Sequence, residues 1–111
     1  MSKGKVNLNQ TAIEYYTPKS LVDMFGKFDY DPATTAEQAN RLGIPNYDTK
    51  DTDGLKADWS QYGRIWINPP FNIKHLFWDK ACETYDKCRN EIYFLCPIEF
   101  LTTRRFHDSL D

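Results

Sequence analysis

Asn68, Pro69, Pro70 and Phe71 stand in a row whose side chains suit chemistry at an amino group. The amino nitrogen of a heteroaromatic ring is a poor nucleophile because its lone pair is delocalised. Two acceptors placed on its two hydrogens would localise that pair. The Asn68 side-chain oxygen and the Pro69 backbone carbonyl can each accept one such N–H bond. Proline fixes φ and keeps the two acceptors at a set angle, and the Phe71 ring offers a face on which a flat base can stack. The motif reads as an acceptor pocket for methylation of an amino group, with positioning as the main contribution and no strong base required. The same residues also suit a plain turn after a strand.

Such a shelf needs a strand end beneath it. The apolar run Arg64-Ile65-Trp66-Ile67 precedes the motif, and a helical pattern follows it. The end of a buried strand is where open α/β sheets bind ligands. Ile73, Leu76, Phe77, Ala81, Tyr85 and Cys88 fall on one helical stripe, and Lys74, Asp79, Glu83, Asp86 and Lys87 take the opposite face. Ile92 to Cys96 then reads as a continuous apolar strand of the kind covered on both sides in a parallel sheet, stopped by Pro97.

Upstream, residues 1–12 are polar and read as a mobile lead-in, with order beginning near Ile13. Thr17-Pro18 suits a helix start, threonine as the cap and proline at the first helical position. Leu21, Val22, Met24 and Phe25 supply the apolar face of that helix, and Gly26 can end it. Phe28 to Asp31 reads as a short strand that Pro32 terminates, which puts Asp31 at a strand end. Thr34 with Glu37, or Thr35 with Gln38, can cap a helix that runs through Arg41 and closes at Gly43. Ile44 to Gln61 is rich in Asp, Pro, Gly and Asn and reads as loop with one short strand near Tyr47. A polar loop of that length in a compact domain is more often functional than idle.

Alternation of strand and helix argues for an α/β layer fold. The chain has 111 residues, room for one domain, with residues 13–111 forming it and only three or four strands in sight, so the sheet is expected to be short at the C-terminus. Apolar residues at 41% and aromatics at 15% exclude a disordered tail. A net charge of −2 excludes a global basic footprint, so any nucleic-acid contact must be local. The apolar runs are far too short to span a membrane and no signal-peptide core opens the chain, which points to the cytoplasm.

The 3 cysteines, Cys82, Cys88 and Cys96, lack metal or redox spacing and read as buried or neutral thiols. His75 and His107 have no companion at ligand spacing, and no metal is expected. Trp59, Trp66 and Trp78 read as core or rim packing. Lys3, Lys5, Arg104 and Arg105 are the basic pairs that could touch phosphates, though such pairs are commonly plain surface.

Taken in order, Glu14-Tyr15-Tyr16-Thr17-Pro18, Asp31-Pro32-Ala33-Thr34, Asp53-Gly54-Leu55, Asp58-Trp59, Asn68-Pro69-Pro70-Phe71 and the Phe94-to-His107 segment resemble the phage-type DNA N6-adenine methyltransferases of the Dam-like family. The resemblance implies a Rossmann-like, three-layer methyltransferase fold and S-adenosylmethionine as cofactor. It implies DNA as substrate, with the adenine flipped from the stack. It also implies a phage or prophage setting of the restriction-modification kind. Members usually continue beyond the Phe106-His107 region into further strands, and the sheet edge this leaves is one that a second copy could pair with in a homodimer. The family's Asp-Pro-Ala-Thr type of turn replaces the glycine-rich turn that many methyltransferases place beneath the cofactor.

By the same resemblance Asn68, Pro69, Pro70 and Phe71 are the catalytic segment, and Tyr16, Thr17 and Pro18 form the opposite wall of the cofactor pocket. S-adenosylmethionine carries an ammonium, a ribose diol and an adenine, and acidic groups at strand ends suit all three. Asp31, followed by Pro32, fits the methionyl end, and Asp53 or Asp58 the ribose or the adenine amino group. Each aspartate also suits a turn, and Asp53-Gly54 is a common turn dipeptide. Two other readings stand beside this one: a protein glutamine N-methyltransferase, whose planar amide presents the same two N–H bonds, and a truncated fold that binds without catalysing.

Overall fold

The computed structural model describes residues 17–96 and 104–109. The expected lead-in, Tyr16 and the Pro97 stop lie outside the described residues. Helix α1 covers Lys19–Asp23, β1 Tyr30–Asp31, α2 Ala36–Leu42, β2 Asn46–Tyr47, β3 Arg64–Ile67, α3 Lys74–Cys88, β4 Glu91–Phe94 and α4 Arg104–Ser109. The four strands among the described residues are all parallel, in the order β2-β1-β3-β4. The chain therefore moves outward from β1 to β2, then returns across β1 to lay down β3 and β4. The order reverses between β1 and β3, and a crevice opens at such a switch point beyond the carboxyl ends of the strands.

Side chains alternate across a strand, so β3 feeds two cores. Ile65 and Ile67, both fully buried, join Tyr30, Trp59, Phe77 and Ala81 on the α3 side. Trp66 joins Val22, Phe28, Leu42 and Ile44 on the side of α1 and α2. Burying an isoleucine contributes roughly 1.5–3 kcal/mol, so the two at 65 and 67 anchor the strand that carries the motif. Trp59 and Trp66 are core residues, as their sequence context predicts. Trp78 is half-buried, and its indole N–H donates to Ser109 at 3.1 Å.

Local signals set most element ends. The Thr35 hydroxyl accepts from the Gln38 N–H at 3.2 Å, and Gly43 closes α2 at φ 75°. The Gln38 side chain takes a different partner from the reciprocal capping one, accepting from Arg41 Nε at 2.7 Å. Gly26 follows α1 at φ 92°. The loop from 44 to 61 holds β2 and two short 3₁₀ turns, Gly54–Lys56 and Trp59–Gln61.

Four expectations are corrected. Thr17 is not the cap of α1: Pro18 holds that position with no side-chain bond, and the threonine hydroxyl is used elsewhere. The buried face of α3 is Phe77, Ala81 and Thr84, whereas Leu76, Tyr85 and Cys88 are exposed. Spacing at i, i+4 and i+7 sets that stripe, and Tyr85 lies instead beneath the Arg89 guanidinium, 4.9 Å from its ring centre. Of the thiols read as buried or neutral, none is buried: Cys88 is exposed, and Cys82 and Cys96 are half-buried, with burial raising their pKa and so favouring the neutral form. Finally, β4 is the edge strand among the described residues and is covered only in part, because no described strand pairs on its outer side.

Candidate active site

Asn68 is the first residue past the β3 ladder. Register pairs Ile67 with Phe94, and the Leu95 N–H donates to the Ile67 carbonyl at 2.8 Å, so the sheet's bonding ends where the motif starts. From there Pro69 is buried, Asn68 is half-buried, Pro70 is exposed and the Phe71 ring is 45% exposed. A short 3₁₀ turn over Phe71–Ile73 leads into α3. The Lys74 ammonium lies 4.1 Å from the Phe71 ring centre and donates to the Phe71 carbonyl at 3.1 Å, which ties the ring to the start of the helix.

The Asn68 amide is oriented. Its Nδ2 donates to Thr17 Oγ1 at 3.1 Å. Among the described residues Oδ1 accepts no bond, and neither does the Pro69 carbonyl. These are the two acceptors the amino-group chemistry asks for. Thr17 is buried, and its carbonyl accepts from Arg41 Nη2 at 2.6 Å, so α2 holds the segment that faces the motif.

Across the switch point, Asp31 ends β1. Its neighbour Tyr30 pairs with Ile65, so the ends of β1 and β3 lie side by side. Asp31 is 3% exposed and accepts one hydrogen bond on its side chain among the described residues, from the Ala33 N–H at 2.9 Å. Burial pushes its pKa up to about 7, against the lowering effect of that one bond. A carboxylate buried without a cationic partner is costly, and its spare lone pairs fit an ammonium. Tyr30, beside it, donates to Asp48 Oδ2 at 2.5 Å, and burial first and Asp48 second hold its phenol protonated.

The Asp53-Gly54 turn lies against the Asp31-Pro32 turn. A Cβ at Gly54 would fall 1.9 Å from the Pro32 carbonyl oxygen, an approach only glycine permits. The Gly54 carbonyl accepts from the Trp59 indole at 2.8 Å, and the neighbouring Leu55 carbonyl accepts from Lys80 at 2.9 Å. Gly54→Ala is therefore expected to destabilise the fold by about 3 kcal/mol or more. Chemical denaturation would read this as a fall in the midpoint at unchanged slope.

Asp53 and Asp58 cap the two 3₁₀ turns. Asp53, at φ 63°, accepts from the Leu55 N–H at 3.1 Å. Asp58 is exposed and accepts from both the Ser60 N–H and its hydroxyl, which lower its pKa. Of the sequence-predicted residues, the structure joins Thr17 to Asn68 directly and seats Gly54, next to Asp53, on Pro32. Among the described residues it draws no hydrogen bond from Asp58 to either cluster, and Pro18 is exposed at the head of α1. Sequence reasoning missed Arg41, whose guanidinium reaches the Thr17 carbonyl from a distant helix and leaves no local signal. An open hollow of about 330 Å³ lined by Lys27, Phe28, Asn40 and Ile44 lies at the opposite end of β1 and shares nothing with this site.

Comparison with known proteins gives a consistent result. The family model for DNA N-6-adenine-methyltransferase (Dam) matches residues 3–109. A DNA N-6-adenine-methyltransferase of Escherichia phage T1 is 30% identical over 87 residues, covering 75% of this chain. The chain spans 35% of that relative's length. No solved structure matches. The family match takes in both strand ends and the Thr17 segment that faces them, and the chain belongs to the DNA N-6-adenine-methyltransferase (Dam) family.

Proposed function

We propose that this protein transfers a methyl group from S-adenosylmethionine to N6 of an adenine in DNA, on a Rossmann-like, three-layer methyltransferase fold. The observation that carries the reading is the Asn68 amide at the end of β3. Its nitrogen is held by Thr17 and its oxygen is left for a substrate, beside the buried Asp31 at the end of β1. Acceptor geometry and a cation-seeking carboxylate thus meet at one switch point.

In this reading S-adenosylmethionine supplies an electrophilic methyl carbon whose leaving group is a neutral thioether. The Asp31 carboxylate would receive the methionyl ammonium, and the Pro32-to-Gly54 contact would keep the turn that follows Asp31 rigid beside it. Asp53 and Asp58 remain the candidates for the ribose or the adenine amino group, with Asp53 the nearer to the turn. Tyr16, Thr17 and Pro18 close the other side. The base must leave the stack to reach Asn68, and the exposed Phe71 ring receives its face.

Asn68 Oδ1 and the Pro69 carbonyl each accept one N6 hydrogen, which turns the nitrogen lone pair towards the methyl carbon. Bound S-adenosylmethionine would give up its methyl carbon to that lone pair as a neutral thioether left, and water would take the proton shed by N6. Pro69 and Pro70 keep the acceptors from relaxing away.

The test is transfer of labelled methyl from S-adenosylmethionine to DNA, read as N6-methyladenine after digestion, with a glutamine-bearing peptide offered in parallel. Label on the peptide alone would move the reading to a glutamine N-methyltransferase. Cofactor binding with label on neither acceptor would reduce the chain to a binding module. The protein carries no helix, among the described residues, long and apolar enough to cross a membrane. A cytoplasmic enzyme acting on phage or host DNA, with a second copy at the β4 edge, belongs to the same proposal.

A further inference from the structure

An asparagine differs from an aspartate in having two unlike ends, and a primary amide presented backwards would offer N–H groups to a substrate that itself carries N–H groups. Something must fix which end faces the pocket. Asn68 is half-buried, and its Nδ2 donates to Thr17 Oγ1 at 3.1 Å. Thr17 is 6% exposed, so little water is at hand to replace its hydroxyl. The backbone that carries the hydroxyl is itself held, because Arg41 Nη2 donates to the Thr17 carbonyl at 2.6 Å while Arg41 Nε donates to Gln38 Oε1 at 2.7 Å. Gln38 is buried in α2, the helix that follows the Asp31 turn. The two residues of the bond are 51 positions apart, so the contact exists only in the folded chain.

We infer that Thr17 is a positioning residue for methyl transfer: its hydroxyl holds the Asn68 amide with the nitrogen turned inward and the oxygen turned to the acceptor nitrogen. The inference rests on the proposed function and adds to it a role for Thr17 distinct from lining the cofactor pocket. Fixing the end of the amide belongs to catalysis, because a misplacement of about 1 Å or a reversed dipole can cost on the order of 100-fold in rate. A kcat effect larger than the effect on cofactor affinity separates this role from the wall that Thr17 lends the cofactor pocket.

The experiment compares Thr17→Val, which keeps the shape and loses the hydroxyl, with Thr17→Ser, which keeps it. Expected for Thr17→Val is a fall in kcat of about 10- to 100-fold that exceeds any change in KM for DNA or in Kd for S-adenosylmethionine, and for Thr17→Ser a kcat near wild type. Equal kcat in wild type and Thr17→Val, equal losses in both variants, or a loss that appears only in the cofactor Kd would overturn the inference.

A second readout needs no activity. The Asn68 side-chain amide protons, assigned by their absence in Asn68→Ala, should exchange slowly in wild type and in Thr17→Ser and fast in Thr17→Val. Exchange equally fast in wild type and Thr17→Val removes the bond and the inference with it. A wild-type protein that methylates neither acceptor sinks the proposed function instead, and amide exchange then decides the hold of Thr17 on Asn68 by itself. If Thr17→Val fails to fold, Thr17→Ala serves in both measurements.

Discussion

Asn68→Ala is expected to lower methyl transfer by about 10²–10³-fold, the usual cost of deleting one preorganised polar group that acts on developing charge. S-adenosylmethionine should bind it as it binds wild type, because Asp31 and the Pro32-Gly54 wall are untouched. The alanine leaves Thr17 Oγ1 without its partner inside a buried pocket, so a modest loss of stability, on the order of 1 kcal/mol, should accompany the kinetic loss. Single-turnover kinetics separate the two, since saturating cofactor and DNA restore nothing if the acceptor itself is missing. A variant retaining more than a tenth of the wild-type rate would show that Asn68 does not touch the reacting amino group.

Asp31→Asn is the second large effect, and it has opposite signs in binding and in stability. The buried carboxylate has its pKa raised to about 7. Capture of an ammonium needs the ionised form, so below pH 7 each unit of acidification should weaken cofactor binding by about tenfold, with a plateau above. Asp31→Asn should lose about 10²-fold in affinity above pH 7, as expected for a hydrogen bond to a charged group, and its pH slope should vanish. Calorimetry in buffers of different ionisation enthalpy reads the proton released on binding below pH 7.

Stability of the cofactor-free protein should move the other way. A carboxyl whose folded pKa lies above its unfolded value near 3.8 binds its proton more tightly when folded. Its contribution to stability is therefore full below pH 4 and is lost as pH rises towards 7, by up to about 4 kcal/mol in this single-site account. Asparagine keeps an oxygen for the Ala33 N–H and carries no charge, so Asp31→Asn should be more stable than wild type at pH 8 by about 2 kcal/mol. Equal stability of the two proteins at pH 8 would mean that the carboxylate is already paired or hydrated. Strain of this kind is characteristic of a residue kept for a ligand.

The two strand ends are legible in the sequence for one shared reason. Pro32 and Pro69 cannot continue a parallel ladder, so Asp31 and Asn68 must stand at or just past the ends of strands. The apolar run 64–67 and the helical period after Ile73 set the direction of the chain around them. Gly43 and Thr35 mark the limits of α2 through backbone conformation and a hydroxyl bond, both readable from neighbours in sequence. The resemblance to the Dam-like family rests on that same ordered set of short motifs, and the family model bears it out.

Sequence by itself thus determined the alternation of strands and helices, the places where strands stop, and the position of the Asn68-Pro69 motif just past a strand end. These follow from forces acting within a few residues: φ restriction, capping and hydrophobic period. Only the tertiary structure decided that Thr17 serves Asn68 and not the helix it precedes, that Asp31 is sealed from water, and that Gly54 meets Pro32. It also decided that α3 turns Thr84 inward and Tyr85 outward. Each of these depends on which strands lie side by side and how distant loops pack over their ends, and no local pattern carries that pairing.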